Sequence, residues 1–301
     1  MNREIKLNLP RAPFPKRVSK KLRRLWQEHQ LNRRKADYRR SQPSASLRTV
    51  AFIVGCQRSG TSMTLSTLNE SLDVDVYNES DARAFVDCRI KPAEVLDGIV
   101  NSSSARCVMF KPVCESHRVT ELLGAHDHAR AVWMYRDYQD VANSAVERWE
   151  DTTQRWLKDL LNGGGGWGLW QWNQEKVTRE CLAEIRTAVQ DEDITPHAAA
   201  VLFWYLRNRT YFEQALADRS DVLLVKYEEL VTTARPEFER ICAFLGIRFS
   251  PDMIRNVSTT SLRKKPFPAI PERVHELCRG MLARLDAVRH PEGIPAAAGT
   301  R

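Results

Sequence analysis

Thr49-Val-Ala-Phe-Ile-Val-Gly55-Cys-Gln-Arg58-Ser59-Gly60-Thr61-Ser62 is the stretch on which the fold turns. Its first seven residues are apolar or β-branched, with no polar residue alternating among them, and they end at a glycine. Such a run reads as a strand buried on both faces, the kind found in parallel sheets. A helical pattern follows from about 61 to 71. Between strand and helix lies a short loop with glycines at both ends. Glycines let the backbone approach an anion closely, and the free amides of the following helix face that anion. The geometry predicted is a phosphate cradle.

The same grammar repeats outward. Short apolar runs at 73–77, 106–110, 131–135 and 221–226 read as further strands, most of them closed by a charged residue. Helical patterns at about 91–101, 117–125, 138–150, 174–189 and 196–217 separate them, and helices and loops follow from about 234. Strands alternating with helices predict an α/β fold: a P-loop-like three-layer domain with a central parallel sheet flanked by helices. Ligands in such sheets sit at the carboxyl ends of the strands. The charged residues closing each strand are therefore where chemistry is to be sought.

Gly55 and Gly60 have Walker A spacing, but Thr61 stands where that motif needs lysine. The positive charge has moved into the loop, to Arg58, whose guanidinium can grip a phosphate or sulfate in two places. Thr61 and Ser62 can add hydroxyl donors. After the run 131–135, Arg136 closes the strand and Ser144 follows eight residues later on the next helix. Two helical turns bring a hydroxyl back toward an arginine, and such a pair can clamp a dianionic phosphate.

This Arg-Ser-Gly-Thr-Ser loop, with an arginine and a serine eight apart in the second motif, resembles the sulfotransferases that use 3'-phosphoadenosine-5'-phosphosulfate (PAPS). The arginine form of the loop resembles the carbohydrate, tyrosylprotein and bacterial branches. The resemblance spans roughly residues 49–265. It implies that Arg58, Ser59, Gly60, Thr61 and Ser62 hold the 5'-phosphosulfate, and that Arg136 and Ser144 hold the 3'-phosphate. Val222-Leu-Leu-Val-Lys-Tyr227-Glu-Glu-Leu230 and the later Phe244-Leu-Gly246 also follow the family pattern, which places Tyr227 near the adenosine; a core tyrosine under the sheet is the plain alternative. Arg263 and Lys265, in the basic segment 258–265, would close over the 3'-phosphate or be a solvated charge run.

The resemblance also implies the chemistry. Arg58 would neutralise charge on the leaving group, adenosine 3',5'-bisphosphate. Lys111, closing the run 106–110, would polarise the sulfuryl oxygens or point into solvent. The histidine that many small-molecule sulfotransferases carry after that lysine is absent here, where Pro112 and Val113 follow. The tyrosylprotein branch places a glutamate 21 residues beyond the loop arginine, which is Glu79. Glu79 is then the candidate general base, against a reading as an ion-pair partner of Arg58 or Arg83; His117 and Asp81 are weaker candidates. Lysine and arginine supply the countercharge, so no metal is expected. The seven cysteines include no CxxC pair and HExxH is absent, which removes the common zinc signatures.

Charge is unevenly placed. The chain carries a net +8, yet residues 1–50 alone hold 15 Lys/Arg against three acids, leaving the remainder acidic. Residues 1–48 thus read as a basic arm and linker, 49–290 as the sulfotransferase domain, and 291–301 as a flexible tail. In the arm, Val18, Leu22, Leu25 and Trp26 share one helical face. It is either a solvated helix or a peripheral docking element for an anionic membrane surface. The charge is too local to argue for a specific nucleic-acid partner. No apolar leader follows the basic N-terminus and the odd cysteine count suits a reducing compartment, so a cytoplasmic enzyme is expected. A run of four glycines at 163–166, with Trp167, Trp170 and Trp172, makes 161–172 either a pinned surface loop or a lid over the acceptor. A glycan, glycolipid or other small molecule is the expected acceptor. A P-loop kinase-like nucleotide enzyme and a non-catalytic nucleotide-binding interaction protein are the alternatives.

Overall fold

A computed structural model describes residues 20–42, 48–165, 176–190 and 193–291. The Trp167, Trp170 and Trp172 segment, Val18 and the tail 292–301 lie outside the described residues. The chain divides into two units, Met1–Pro43 and Ser44–Arg301. In the first, α1 (Lys20–Arg40) is a helix that leaves Leu22, Leu25 and Trp26 exposed.

The second unit is built on β1 (Thr49–Gly55), which is buried along almost its whole length. Chain order then gives α2 (Thr61–Asn69), β2 (Val74–Asn78), a small hairpin of β3 (Phe85–Val86) and β4 (Arg89–Ile90), and α3 (Ala93–Ser102). Next come β5 (Cys107–Lys111), α4 (Val119–Gly124), β6 (Ala129–Tyr135), α5 (Tyr138–Trp149), α6 (Thr152–Leu161), α7 (Arg179–Val189) and α8 (Pro196–Glu213). The unit ends with β7 (Val222–Lys226), α9 (Tyr227–Thr232), α10 (Ala234–Leu245) and α11 (Glu272–Arg289). Five strands form one parallel sheet in the order β2-β5-β1-β6-β7.

Period-two alternation along buried strands explains the layers. Val50, Phe52 and Val54 of β1 face one side, with Phe110, Trp133 and Tyr135 from its neighbours, and bury against α3–α8 and α11. Ala51 and Ile53 face the other, where Met109, Met134 and Val225 meet α2, α9 and α10. The observed fold is the three-layer α/β arrangement with a central parallel sheet. α8 is apolar on nearly every side because α5, α6 and α11 surround it. No helix among the described residues is long and apolar enough to cross a membrane.

Since all five strands run the same way, their carboxyl ends form one edge. Gly55, Asn78, Lys111, Tyr135 and Lys226 end the strands there. The loop after β1, Glu79, Lys111, Arg136 and Tyr227 all share this edge.

Candidate active site

The loop after β1 owes its shape to two glycines and one strained arginine. Gly55 has φ 120°, and a Cβ there would lie 2.2 Å from the Met134 carbonyl oxygen. Gly60 has φ 88°, and a Cβ there would lie 2.2 Å from the Tyr227 ring. Side chains are excluded at both, by backbone conformation and by space. Arg58 also sits left-handed, at φ 68°. A turn bond from the Ser59 N–H to the Cys56 carbonyl, 3.2 Å, closes the loop. Ser59 is buried, Thr61 is buried as the first residue of α2, and Ser62 is exposed beside it.

Arg58 reaches across the edge. Its Nε donates to Ser144 Oγ on α5 at 3.0 Å. Desolvation and then the neighbouring cations Arg148 and Arg136 hold its guanidinium below the ordinary arginine range, with Glu147 opposing them. Like charges gathered at one place make a basin for an anion.

Arg136 is buried, and its exit from β6 is anchored by Trp204 of α8, whose Nε1 donates to the Arg136 carbonyl at 2.9 Å. Its guanidinium lies 4.5 Å from the centroid of the Tyr227 ring. Nη2 donates to Asp140 Oδ2 at 3.0 Å and to the Ser261 carbonyl at 2.6 Å. Nε is buried and has no hydrogen-bond partner. Asp137 caps α5 by accepting from the Gln139 and Asp140 amides, and its own amide donates to the half-buried Glu228 at 3.0 Å. The structure thus brings Arg58, Arg136, Ser144 and Tyr227 to one place, but joins them differently from the expected pairing. Ser144 bonds Arg58, while Arg136 turns toward Asp140 and Ser261.

The basic segment 258–265 lies along α5. The Arg263 amide donates to both oxygens of Asp140 at 3.1 Å, and Arg263 is left-handed at φ 44°. Lys265 Nζ pairs with Glu147 at 3.3 Å, and its carbonyl accepts from Asn143 at 3.2 Å. Tyr227 Oη bonds Ser261 Oγ at 2.6 Å. Tyr227 opens α9 rather than extending the strand, and its ring forms the floor under Gly60.

On the other side of β1, Glu79 follows β2 directly. Its Oε2 accepts from Lys111 Nζ at 2.7 Å, and its Oε1 from the Cys114 amide at 3.0 Å. Arg83 instead pairs with Asp81 and holds that carboxyl below the usual carboxylate range. His117 is almost wholly buried, at 1% exposure. Of the three base candidates, Glu79 combines partial exposure with a cation at the strand edge.

Arg207 is a site residue that sequence reasoning passed over. It is 1% exposed within the apolar α8, and burial lowers its guanidinium's pKa. Its Nη2 donates to the Val113 carbonyl at 2.7 Å, pinning the segment that aims the Cys114 amide at Glu79. A charged residue inside Ala198-Ala-Ala-Val-Leu-Phe-Trp-Tyr-Leu-Arg207 was the available signal. Asp140, four residues after Arg136, was likewise legible as its helical partner. Among the described residues, no group of three or more His, Cys, Asp or Glu converges as a metal site.

A sequence profile of the family described as "Sulfotransferase domain" matches residues 48–267. Solved structures with similarity include a sulfotransferase from Alicyclobacillus acidocaldarius, at 18% identity over 83% of this chain and 96% of that one, with a TM-score of 0.45. The sulfotransferase domain of the Synechococcus PCC 7002 olefin synthase is 14% identical over 80% and 98%, with a TM-score of 0.41. A mouse sulfotransferase complexed with PAP is 12% identical over 75% and 71%, with a TM-score of 0.37. None of the curated proteins matches the chain.

Proposed function

The chain belongs to the sulfotransferase domain family, and from that premise we propose that it takes its sulfuryl group from PAPS and delivers it to a hydroxyl of a glycan, glycolipid or other small molecule. PAPS supplies the activated sulfuryl group when bound and leaves as adenosine 3',5'-bisphosphate. The observation that carries the reading is the shared strand edge, with Arg58 and Ser144 3.0 Å apart, Arg136 stacked on Tyr227, and Glu79 paired with Lys111. The residues fit a doubly anionic nucleotide. Arg136 keeps a buried Nε without a partner, the α2 amides open toward the loop, and cations crowd around Arg58.

Arg58, Ser59, Gly60, Thr61 and Ser62 hold the 5' end in this reading. Arg136, Ser144, Arg263 and Lys265 hold the 3' end, and Tyr227 lies beneath the nucleoside. Glu79 takes the acceptor proton. Lys111 Nζ engages one of its oxygens and the Cys114 amide the other, with the Cys114 thiol a further donor beside them; a carboxylate can accept about four hydrogen bonds, so it retains room for the incoming hydroxyl. Lys111 fixes that carboxylate and brings a positive charge to the place where charge builds. Countercharge comes from these side chains, so transfer is expected to survive exhaustive treatment with EDTA.

The deciding experiment pairs two measurements on the full chain: calorimetric binding of adenosine 3',5'-bisphosphate, and transfer from radiolabelled PAPS to lysate fractions. Binding together with a sulfated product supports the reading. Loss of all binding in the wild type defeats it, as would magnesium-dependent ATP turnover in its place.

The basic arm is proposed to dock a cytoplasmic enzyme peripherally on anionic membrane. The excess of cations in residues 1–50 and the exposed Leu22, Leu25 and Trp26 of α1 support this.

A further inference from the structure

Cys88 and Cys114 meet at the rim of the Glu79–Lys111 pair. Cys88 occupies the second position of the two-residue turn between β3 and β4, where Asp87 has φ 48° and Cys88 φ 61°. Both are left-handed, the geometry of a tight hairpin turn usually filled by asparagine and glycine. The hairpin is fastened to the segment after β5. The Ile90 amide donates to Glu115 Oε2 at 2.5 Å, and Cα atoms of β4 come within 8 Å of those in 113–118. Cys114 directly precedes Glu115 in that segment, and Cys88 lies two positions before Ile90, so the same bond holds the two cysteines in neighbouring places.

These two cysteines differ from the other five. Cys56, Cys107, Cys181, Cys242 and Cys278 are buried, whereas Cys88 and Cys114 are partly exposed. Burial pushes the Cys56 and Cys107 thiols up to about 12. The hydrogen bond from Cys114 instead brings the Cys88 thiol down to about 7, against partial burial and the Glu79 charge. The same bond, with burial, pushes the Cys114 thiol up. An accessible sulfur with thiolate character, beside a second sulfur able to resolve it, is the arrangement that exchange chemistry requires.

We infer that Cys88 and Cys114 form a thiol–disulfide exchange site, closed to an intramolecular disulfide by a low-molecular-weight disulfide, and that closure lowers sulfuryl transfer. The Cys88 thiolate attacks one sulfur of the reagent, and the first thiolate leaves. Cys114 then gives up its proton and attacks the Cys88 sulfur of the mixed disulfide, and the second thiolate leaves. The two cysteines lose two electrons and two protons; the reagent gains both pairs and departs as two thiols. A disulfide imposes its own spacing and dihedral on the residues it joins. The Cys114 amide, now 3.0 Å from Glu79, is displaced with them. This last step rests on the Glu79–Lys111 reading of the site; the exchange chemistry does not.

The test incubates the full-length enzyme with oxidised glutathione and follows peptide masses and transfer rate together. A Cys88–Cys114 cross-linked peptide is expected, with transfer falling about tenfold or more and returning under dithiothreitol. Cys88→Ser should retain basal activity and be insensitive to the reagent. Glutathione accumulating on Cys88 with no cross-link, or a fully cross-linked enzyme turning over at the reduced rate, overturns the inference. Glu79→Gln, assayed beside them without oxidant, reports on the site reading alone and leaves the cross-link measurement untouched.

Discussion

Arg58 carries two constraints at once, a left-handed backbone and a head bonded to Ser144. Replacing it by alanine removes the cation nearest the proposed leaving group. Transfer should fall by about 10²- to 10³-fold, roughly 3–4 kcal/mol of transition-state stabilisation, as single-turnover rates will show. Glu79→Gln should cost turnover far more than nucleotide affinity. A large binding loss with unchanged turnover would remove it as base. Gly60→Ala forces a Cβ into the Tyr227 ring, so both melting temperature and nucleotide affinity should drop. Cys88 should alkylate with a rate that climbs as pH rises through about 7 and then levels, because the thiolate is the reactive form. An unassisted thiol would still be gaining at about pH 8.5. The loop was legible because its glycines, arginine and hydroxyls each have one physical job at that spacing. The partners of Arg136 were not, since a segment more than a hundred residues away supplies the Ser261 carbonyl.

Elements set where those residues point. Arg136 is held by an indole from α8, a bond that joins the sheet edge to the central helix. Trp204→Phe keeps most of the ring volume but strands a buried carbonyl, at a cost of about 1–3 kcal/mol. A lower melting temperature and weaker adenosine 3',5'-bisphosphate binding should appear together; weaker binding alone would point to a more local effect. The strands of the sheet were readable from their apolar runs and charged ends. α6 was not: its first turn holds two threonines and no side-chain cap, and burial of Trp156, Leu157 and Leu160 holds it in place. The β3–β4 hairpin also escaped notice. Strands of two residues leave no periodicity, and its turn uses aspartate and cysteine where asparagine and glycine are the familiar signal.

For the whole molecule, the sheet order places its first strand in the middle. β1 pairs with β5 on one side and β6 on the other, so Thr49 waits for Cys107 and Val50 for Ala129. A ribosome therefore releases this buried, apolar strand long before either neighbour exists. During that interval both of its hydrogen-bonding edges are open, a hazard for slow, non-local parallel pairing. Nascent chains halted before residue 135 should associate with chaperones or with one another, and those carried past β7 should not. The centrality that shields β1 in the finished protein thus makes its birth the most exposed moment of its life.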